Sequence, residues 1–227
     1  MPVNTDLFGN PIVRNERLVV TDSTVCESPT VLKRQKRNAV REIRDLRRAT
    51  GAAEAVAGFT RDMEIDGFTK GQFSLHDLVN SLVVITGPVH LHLSTWTANS
   101  AQIMGLENMR TSGEILSARW MIDASFARRR PQAANQLRMS FGLNSVRVTQ
   151  THSKFILMSN DTWAVVLRTS MNLNMNPRFE NFTVAHDPEL FAFTKKIMDE
   201  LFSRQKKGIT MAPGDRAENG RTFRKDL

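Results

Sequence analysis

Strand and helix patterns alternate through the second half of the sequence, and their order constrains the fold more than any other feature. Residues 89–96, VHLHLSTW, alternate apolar and polar side chains, as a strand does. Further strands are predicted over 116–123, 145–150, 153–158 and 163–169, and helices over 99–113, 131–142 and 187–202. This order predicts an α/β fold in which helices cover one mixed β-sheet.

The last two of these strands form a predicted hairpin with a turn at Ser159–Asp161, and polar residues bracket it. His152 and Lys154 stand at its start, and Ser170 and Asn172 stand at its end. Each pair is spaced i, i+2, so its two side chains emerge on the same face of a strand. If the strands pair antiparallel, all four side chains converge at one end of the sheet.

Such a cluster suits phosphoryl transfer. An imidazole can attack phosphorus and form a covalent phosphohistidine, which divides one difficult displacement into two easier ones. The Lys154 ammonium and the Asn172 amide can bind the equatorial phosphoryl oxygens, and the Ser170 hydroxyl adds another donor. No metal ion is required if these donors neutralise the charge.

Composition indicates a soluble globular protein. The chain has 227 residues, 41% of them hydrophobic, and its single cysteine, Cys26, cannot form an intrachain disulfide. No run reaches the roughly 18 apolar residues of a membrane span, and the polar start lacks the pattern of a signal peptide. We therefore expect a cytoplasmic protein without a membrane partner.

The net charge of +8 leaves two interpretations open. It can be a solubilising surface, or it can match a polyanionic partner, which is usually nucleic acid. Basic residues concentrate in 32–48, in the triplet Arg128, Arg129 and Arg130, and towards the C-terminus. Residues 32–48 are predicted to be helical, and their basic face fits a solvated surface and a contact with a phosphate backbone equally well.

The hairpin resembles the signature of the phospholipase D superfamily, H-x-K-x4-D-x6-G-S-x-N. HSK at 152–154 supplies the histidine and the lysine, and TSMN at 169–172 stands where the family has G-S-x-N. RFENFTV at 178–184 places Glu180 at the family's downstream glutamate. The resemblance spans about residues 85–203, with the order of strands and helices preserved.

The hairpin also departs from that signature. Ser159 occupies the position of the family's aspartate, and the nearest acidic residue is Asp161. Thr169 replaces the glycine, and the spacing from Lys154 to Ser170 is three residues longer. Extra residues in the turn, and a bulge near Arg168, would still let the polar groups converge. The departures leave two alternatives, an active site and a catalytically degenerate relative.

The resemblance implies a metal-independent phosphodiesterase without a cofactor, with a DNA nuclease as the favoured interpretation and DNA favoured over RNA. The basic charge favours nucleic acid over a phospholipid head group as the substrate. The family's site uses two motifs and this chain carries one, which implies a homodimer with a composite site. Each subunit would contribute His152, Lys154, Ser170, Asn172 and Glu180. One histidine would be the nucleophile, and the other would protonate the leaving oxygen. The alternatives are a nucleic-acid-binding protein without turnover and a structural or assembly protein.

Several further residues are assigned to the substrate side of the site or to its surroundings. The predicted substrate contacts are Arg128, Arg129, Arg130, Arg168 and Trp96. For Trp96, core packing is favoured over a substrate contact. Asp123 could face the same cleft or cap the next helix, and a structural role is favoured. His90 and His92 share one strand face, where ordinary strand histidines are favoured over a metal pair.

Three regions follow from these patterns. Residues 1–68 are predicted to form an N-terminal arm and a basic helical extension. Residues 69–205 are predicted to form the phospholipase D-like domain, and residues 206–227 a basic flexible tail.

Overall fold

The computed structural model describes residues 39–45 and 51–204. Its strands are β1 (Val40–Asp45), β2 (Met63–Thr69), β3 (Val89–Thr95), β4 (Ile115–Asp123), β5 (Val146–Thr149), β6 (Phe155–Ser159), β7 (Ala164–Thr169) and β8 (Glu180–His186). Its helices are α1 (Ala52–Ala55), α2 (Leu75–Thr86), α3 (Ser100–Thr111), α4 (Phe126–Arg129), α5 (Pro131–Phe141) and α6 (Pro188–Arg204), with a 3₁₀ turn at Leu143–Ser145.

The strands form one eight-stranded sheet in the order β1-β2-β8-β7-β6-β3-β4-β5. β3, β4 and β5 are parallel, whereas β6 is antiparallel to β3 and begins an antiparallel run through β7, β8 and β2. The mixed sheet flanked by helices that the sequence predicts is therefore confirmed, and so is the antiparallel pairing of the hairpin strands.

The prediction of a helix over 32–48 is wrong for the part that the structure describes, because residues 40–45 form strand β1. β1 pairs in parallel with β2, which the sequence patterns did not identify. Basic side chains tie β1 to its neighbours: Arg41 pairs with Glu64, and the Arg44 guanidinium donates to the carbonyls of Ala55 and Ala57 at 3.0 and 2.9 Å. The rest of that predicted helix, the arm and the tail lie outside the described residues.

The sheet also continues upstream of residue 69, where the sequence places the start of the phospholipase D-like domain. β1 and β2 belong to the same sheet as β3 to β8. The short helix α1 packs on α2, and its buried Ala52 and Ala55 join the core on this sheet.

The two faces of the sheet are covered unequally. Alternate strand residues such as Trp120, Ile122 and Ile156 face a large core that is completed by α1 to α5. The intervening residues face α6, which packs its own apolar residues on β4, β6 and β7. A capping box between Ser74 and Asp77 fixes the start of α2 on the first face.

One edge of the sheet carries the ends of β2, β3, β4 and β7 and the starts of β6 and β8. Register shows this directly, since Thr69 pairs with Glu180, Arg168 with Phe155, and Phe155 with Ser94. We call it the site edge, because the polar residues singled out in the sequence lie along it.

Candidate active site

His152 and Lys154 lie together at the site edge, in the segment that enters β6. The Lys154 Nζ donates to the His152 carbonyl oxygen at 2.9 Å and lies 3.4 Å from the His152 Nδ1. The sequence places both residues on a strand, but residues 151–154 precede β6 and are irregular. Their side chains nevertheless converge, because the lysine turns back over the histidine backbone.

Two residues from neighbouring strands anchor this segment. The Ser94 Oγ at the end of β3 donates to the Ser153 carbonyl oxygen at 2.9 Å. The Asp123 Oδ2 at the end of β4 accepts from the Thr151 backbone N–H at 3.3 Å, and its Oδ1 accepts from the Ser125 backbone N–H at 2.9 Å. Asp123 is structural, as expected. The role of Ser94 was not identified, although a serine at the end of a strand beside the predicted hairpin could have indicated it.

Ser170, Asn172 and Glu180 join the same edge from the end of β7 and the start of β8. The Ser170 Oγ donates to the Glu180 Oε2 and accepts from the Asn181 backbone N–H at 3.0 Å. The Glu180 Oε1 accepts from the Asn176 Nδ2 at 3.1 Å. Asn176 was not singled out in the sequence, although it continues the alternating asparagines of NLNMN.

The two halves of the cluster are connected through backbone and charge. The Thr169 backbone N–H donates to the Lys154 carbonyl oxygen at 3.2 Å, which continues the β6–β7 ladder past its last strand pair. Burial lowers the pKa of the Lys154 ammonium, and the nearby Glu180 carboxylate acts in the opposite direction. The structure therefore brings together all five residues predicted to be catalytic.

Asn172 presents a polar atom that the described chain leaves unsatisfied. Its Oδ1 is buried and has no hydrogen-bond partner among the described residues. A buried polar atom without a partner costs free energy, which a ligand that donates a hydrogen bond to this oxygen would recover. The side chain also lines a narrow cleft with Asn174, Asn176 and Glu180.

Trp96 packs against the candidate nucleophile. Its ring centroid lies 5.6 Å from that of His152, and the Arg129 guanidinium carbon lies 3.7 Å from the indole centroid. Arg129 also donates to the Trp96 carbonyl oxygen and to the Ser125 Oγ, each at 2.8 Å. Burial lowers the pKa of Arg129, and Asp123 opposes this shift. Trp96 and Arg129 thus form a support for His152.

Arg128, Arg130 and Arg168 have exposed side chains. Arg128 and Arg130 flank the end of α4, whereas Arg168 lies on β7, on the sheet face that α6 covers further along. Their contact with substrate stays a prediction.

The hairpin turn explains the longer spacing of the motif. β6 and β7 pair regularly from Phe155 and Arg168 to Ser159 and Ala164, so no bulge is present near Arg168. The extra residues lie in the turn, where the Asn160 Oδ1 accepts from the Trp163 backbone N–H at 2.9 Å. Asp161 is part of this turn, at the opposite edge of the sheet from His152.

His90 and His92 share a face of β3, but only His92 is buried. The His90 Nδ1 lies 2.8 Å from the Ser117 Oγ. Across the described ranges, no group of three or more His, Cys, Asp or Glu side chains could hold a metal ion. Burial lowers the pKa of His92 to about 4, aided by Arg119, Lys195 and His90 and opposed by Asp199.

We expect His92 to make the protein sensitive to acid. A histidine with a pKa of about 4 when folded and 6.5 when unfolded is protonated first in the unfolded chain, so acid favours unfolding. The loss begins as the pH falls through about 6.5 and reaches about 3 kcal/mol near pH 4. Urea unfolding at neutral pH and near pH 4 measures it. The variant His92→Phe should lose about 3 kcal/mol less than the wild type on acidification. Equal losses in the two proteins would contradict this role.

Within the part of the chain that the structure describes, no helix combines the length and apolar composition needed to cross a membrane.

Comparison with known proteins finds matches in structure but none in sequence. No family model and no curated protein matches the sequence. The polyphosphate kinase of Porphyromonas gingivalis is similar over 71% of this chain, with a TM-score of 0.49 and 12% identity, and the chain spans 30% of that protein's length. Nuc from Salmonella typhimurium, a phospholipase D family member, is similar over 65% of this chain and 98% of its own, with a TM-score of 0.39 and 17% identity.

Proposed function

We propose that this protein is a phosphodiesterase that hydrolyses nucleic acid, DNA in preference to RNA, through a phosphohistidine intermediate. One observation carries the proposal: the His152 ring, the Lys154 ammonium 3.4 Å from it, and the side chains of Ser170, Asn172 and Glu180 meet at one sheet edge. A nucleophile beside fixed donors is what displacement at phosphorus requires.

In the first step, an unprotonated ring nitrogen of His152 attacks phosphorus. A P–N bond forms, the bond to the leaving oxygen breaks, and that oxygen takes a proton from a general acid. Lys154 and Asn172 bind the non-bridging oxygens as their charge redistributes. In the second step, water gives up a proton to the general base and attacks phosphorus, and the P–N bond breaks. Since these donors supply the neutralising charge, the reaction needs no metal ion.

The general acid and base comes from a second copy of the chain. Within one copy, none of the described hydrogen bonds joins Glu180 to His152, and the Glu180 carboxylate is bonded to Ser170 and Asn176 instead. The supports around His152 in the same copy are Trp96 and Lys154. A homodimer that places the same edge of two copies face to face supplies the missing imidazole from the partner.

Charge supports nucleic acid as the substrate. The chain carries a net charge of +8, and Arg128, Arg130 and Arg168 are exposed near or along the strands that end at the site. Cationic side chains bind phosphate backbones and steer them towards a site.

The second candidate function is nucleic-acid binding without turnover. Asp161, the acid nearest to the family's aspartate position, lies at the edge of the sheet away from His152. An enzyme that depended on that carboxylate would be inactive, although its basic surface would still bind polyanions.

The proposal predicts that purified protein cleaves DNA in the presence of EDTA. Because the charge on phosphorus is met by Lys154 and Asn172, chelation should leave the rate within about twofold. Gel analysis of labelled single-stranded DNA, duplex DNA and RNA of matched sequence measures the rate and the preference. Light scattering on the same samples should give a dimer mass. Binding without cleavage on all three substrates supports the second candidate, and a strict monomer that cleaves would rule out the composite site.

A further inference from the structure

Helix α6 leaves one part of its sheet face uncovered. Its apolar contacts lie on β4, β6 and β7, through residues such as Met121, Leu157 and Val166. On β8, β2 and β1, the described side chains of this face are buried or half-buried at Ala185, Glu64, Thr183 and Asp66, and exposed at Asn181, Phe68, Arg41 and Ile43. Ile43 is 81% exposed and Phe68 is 52% exposed, although both are apolar and lie in strands.

Aromatic and basic side chains lie together on this face near the site edge. Phe68 on β2 pairs with Asn181 on β8, so their side chains lie beside each other on one face. Directly beyond these strands, the Lys70 ammonium lies 5.9 Å from the centroid of the Phe179 ring, which is 59% exposed. Arg168 lies on the same face of β7. We call Phe68, Lys70, Arg168, Phe179 and Asn181 the strand platform.

This composition fits a single-stranded nucleic acid better than a protein or a duplex. Unpaired bases stack on exposed aromatic rings, and lysine and arginine track the phosphates between them. In a duplex the base faces are already stacked on one another, so rings on a sheet surface cannot reach them. Two acidic groups on this face, Asp66 and Glu64, are engaged within the protein, since Asp66 accepts from Thr183 and Glu64 pairs with Arg41.

Position connects the strand platform to the candidate active site. Glu180 follows Phe179 in the chain, and Ser170 follows β7 at the same edge. Neighbouring strands are about 4.8 Å apart, so the three steps from β2 to β6 cover about 14 Å. A single-stranded nucleic acid that lies along the site edge can therefore contact the platform and reach His152 at the same time.

We infer that the strand platform binds single-stranded nucleic acid and delivers it to the site edge. The delivery rests on the proposed function, whereas the binding does not, and the two can be measured separately. Both rings are exposed and Lys70 lies beside one of them, so affinity should depend on the rings as well as on the charge.

The test is fluorescence anisotropy with the full chain carrying His152→Ala, in EDTA, so that no turnover disturbs binding. The probes are a labelled single strand of about 16 nucleotides and its duplex. Phe68→Ala and Phe179→Ala should each weaken single-strand binding about 10-fold or more, and Lys70→Gln should weaken it less and mainly at low salt. Duplex affinity should change less than about twofold. Matched controls on other surfaces are Met139→Ala, which removes an apolar side chain that is 73% exposed, and Lys196→Gln.

Three results would overturn the inference. If Phe68→Ala and Phe179→Ala both bind single-stranded DNA as tightly as the parent protein, the platform is not the binding surface. The same conclusion follows if the two variants lose affinity for the single strand and the duplex equally. A shift from dimer to monomer in Phe68→Ala, seen by light scattering, makes this face a subunit interface. The wild type can fail to hydrolyse DNA while single-strand binding still depends on Phe68 and Phe179. That result would contradict the proposed hydrolysis and support the binding platform.

Discussion

His152→Ala is expected to lower the rate of DNA hydrolysis by about 10⁴-fold or more, with little change in DNA affinity. The substitution removes the nucleophile of one copy and the proton donor of the other, and each role is worth on the order of 10² to 10⁴ in rate. Affinity should persist because it depends on the cationic surface. Single-turnover cleavage and anisotropy measure the two quantities on the same samples.

Two controls sharpen this result. His90→Ala removes an exposed histidine at the far end of β3, where it contacts Ser117, and should leave the rate unchanged. In mixtures of wild type and His152→Ala that exchange subunits, activity should follow the square of the wild-type fraction if two histidines serve one site. A linear dependence would mean that each copy works alone.

Wild-type protein quenched during turnover should also hold a phosphoramidate that is stable in alkali and is hydrolysed in acid.

The sequence predicted the hairpin and its convergence for a simple physical reason. Antiparallel pairing of two adjacent strands places the start of the first beside the end of the second, whatever the exact strand limits. His152 and Lys154 proved to lie just before β6, yet the bond from Thr169 to Lys154 continues the ladder to them. The prediction that the polar side chains converge was therefore correct, although the predicted start of β6 was wrong.

The outer strands β1 and β2 were harder to predict. VREIRD in β1 mixes apolar and basic residues at a spacing that also fits a helix, and an edge strand buries too little to impose clean alternation. MEIDGFT in β2 contains a glycine and alternates weakly. Its partner β8 follows it by more than a hundred residues, so no local signal announces the pairing.

Side-chain direction within the arginine triplet also could not be predicted. Three consecutive arginines are equivalent in sequence, but Arg129 turns towards Trp96. Ser125, one helical turn earlier, accepts from its Nε, and the Asp123 carboxylate at the end of β4 lies 3.8 Å from its guanidinium. Arg128 and Arg130 stay exposed. One basic run thus divides into a support for His152 and two residues available to a polyanion.

Lys154→Met is expected to lower kcat by about 10² to 10³-fold, which is the usual cost of removing a donor that stabilises charge in a transition state. Methionine keeps the length of the side chain but removes the cation from the non-bridging oxygens. KM should change much less, since the exposed arginines remain. A matched control is Lys196→Met, which removes a lysine from the exposed face of α6. An equal loss of kcat in both variants would place the effect in the overall charge rather than in the site.

The pH profile provides an independent reading of the same residue. Burial lowers the pKa of Lys154, so its positive charge, and with it the rate, is lost on the alkaline side at a lower pH than for an ordinary lysine. Arginine stays protonated throughout this range. Lys154→Arg should therefore keep more activity than Lys154→Met and extend that activity to higher pH. An alkaline limb that is the same in Lys154→Arg and the wild type would show that another group, such as the imidazole that protonates the leaving oxygen, controls it, and would contradict this prediction.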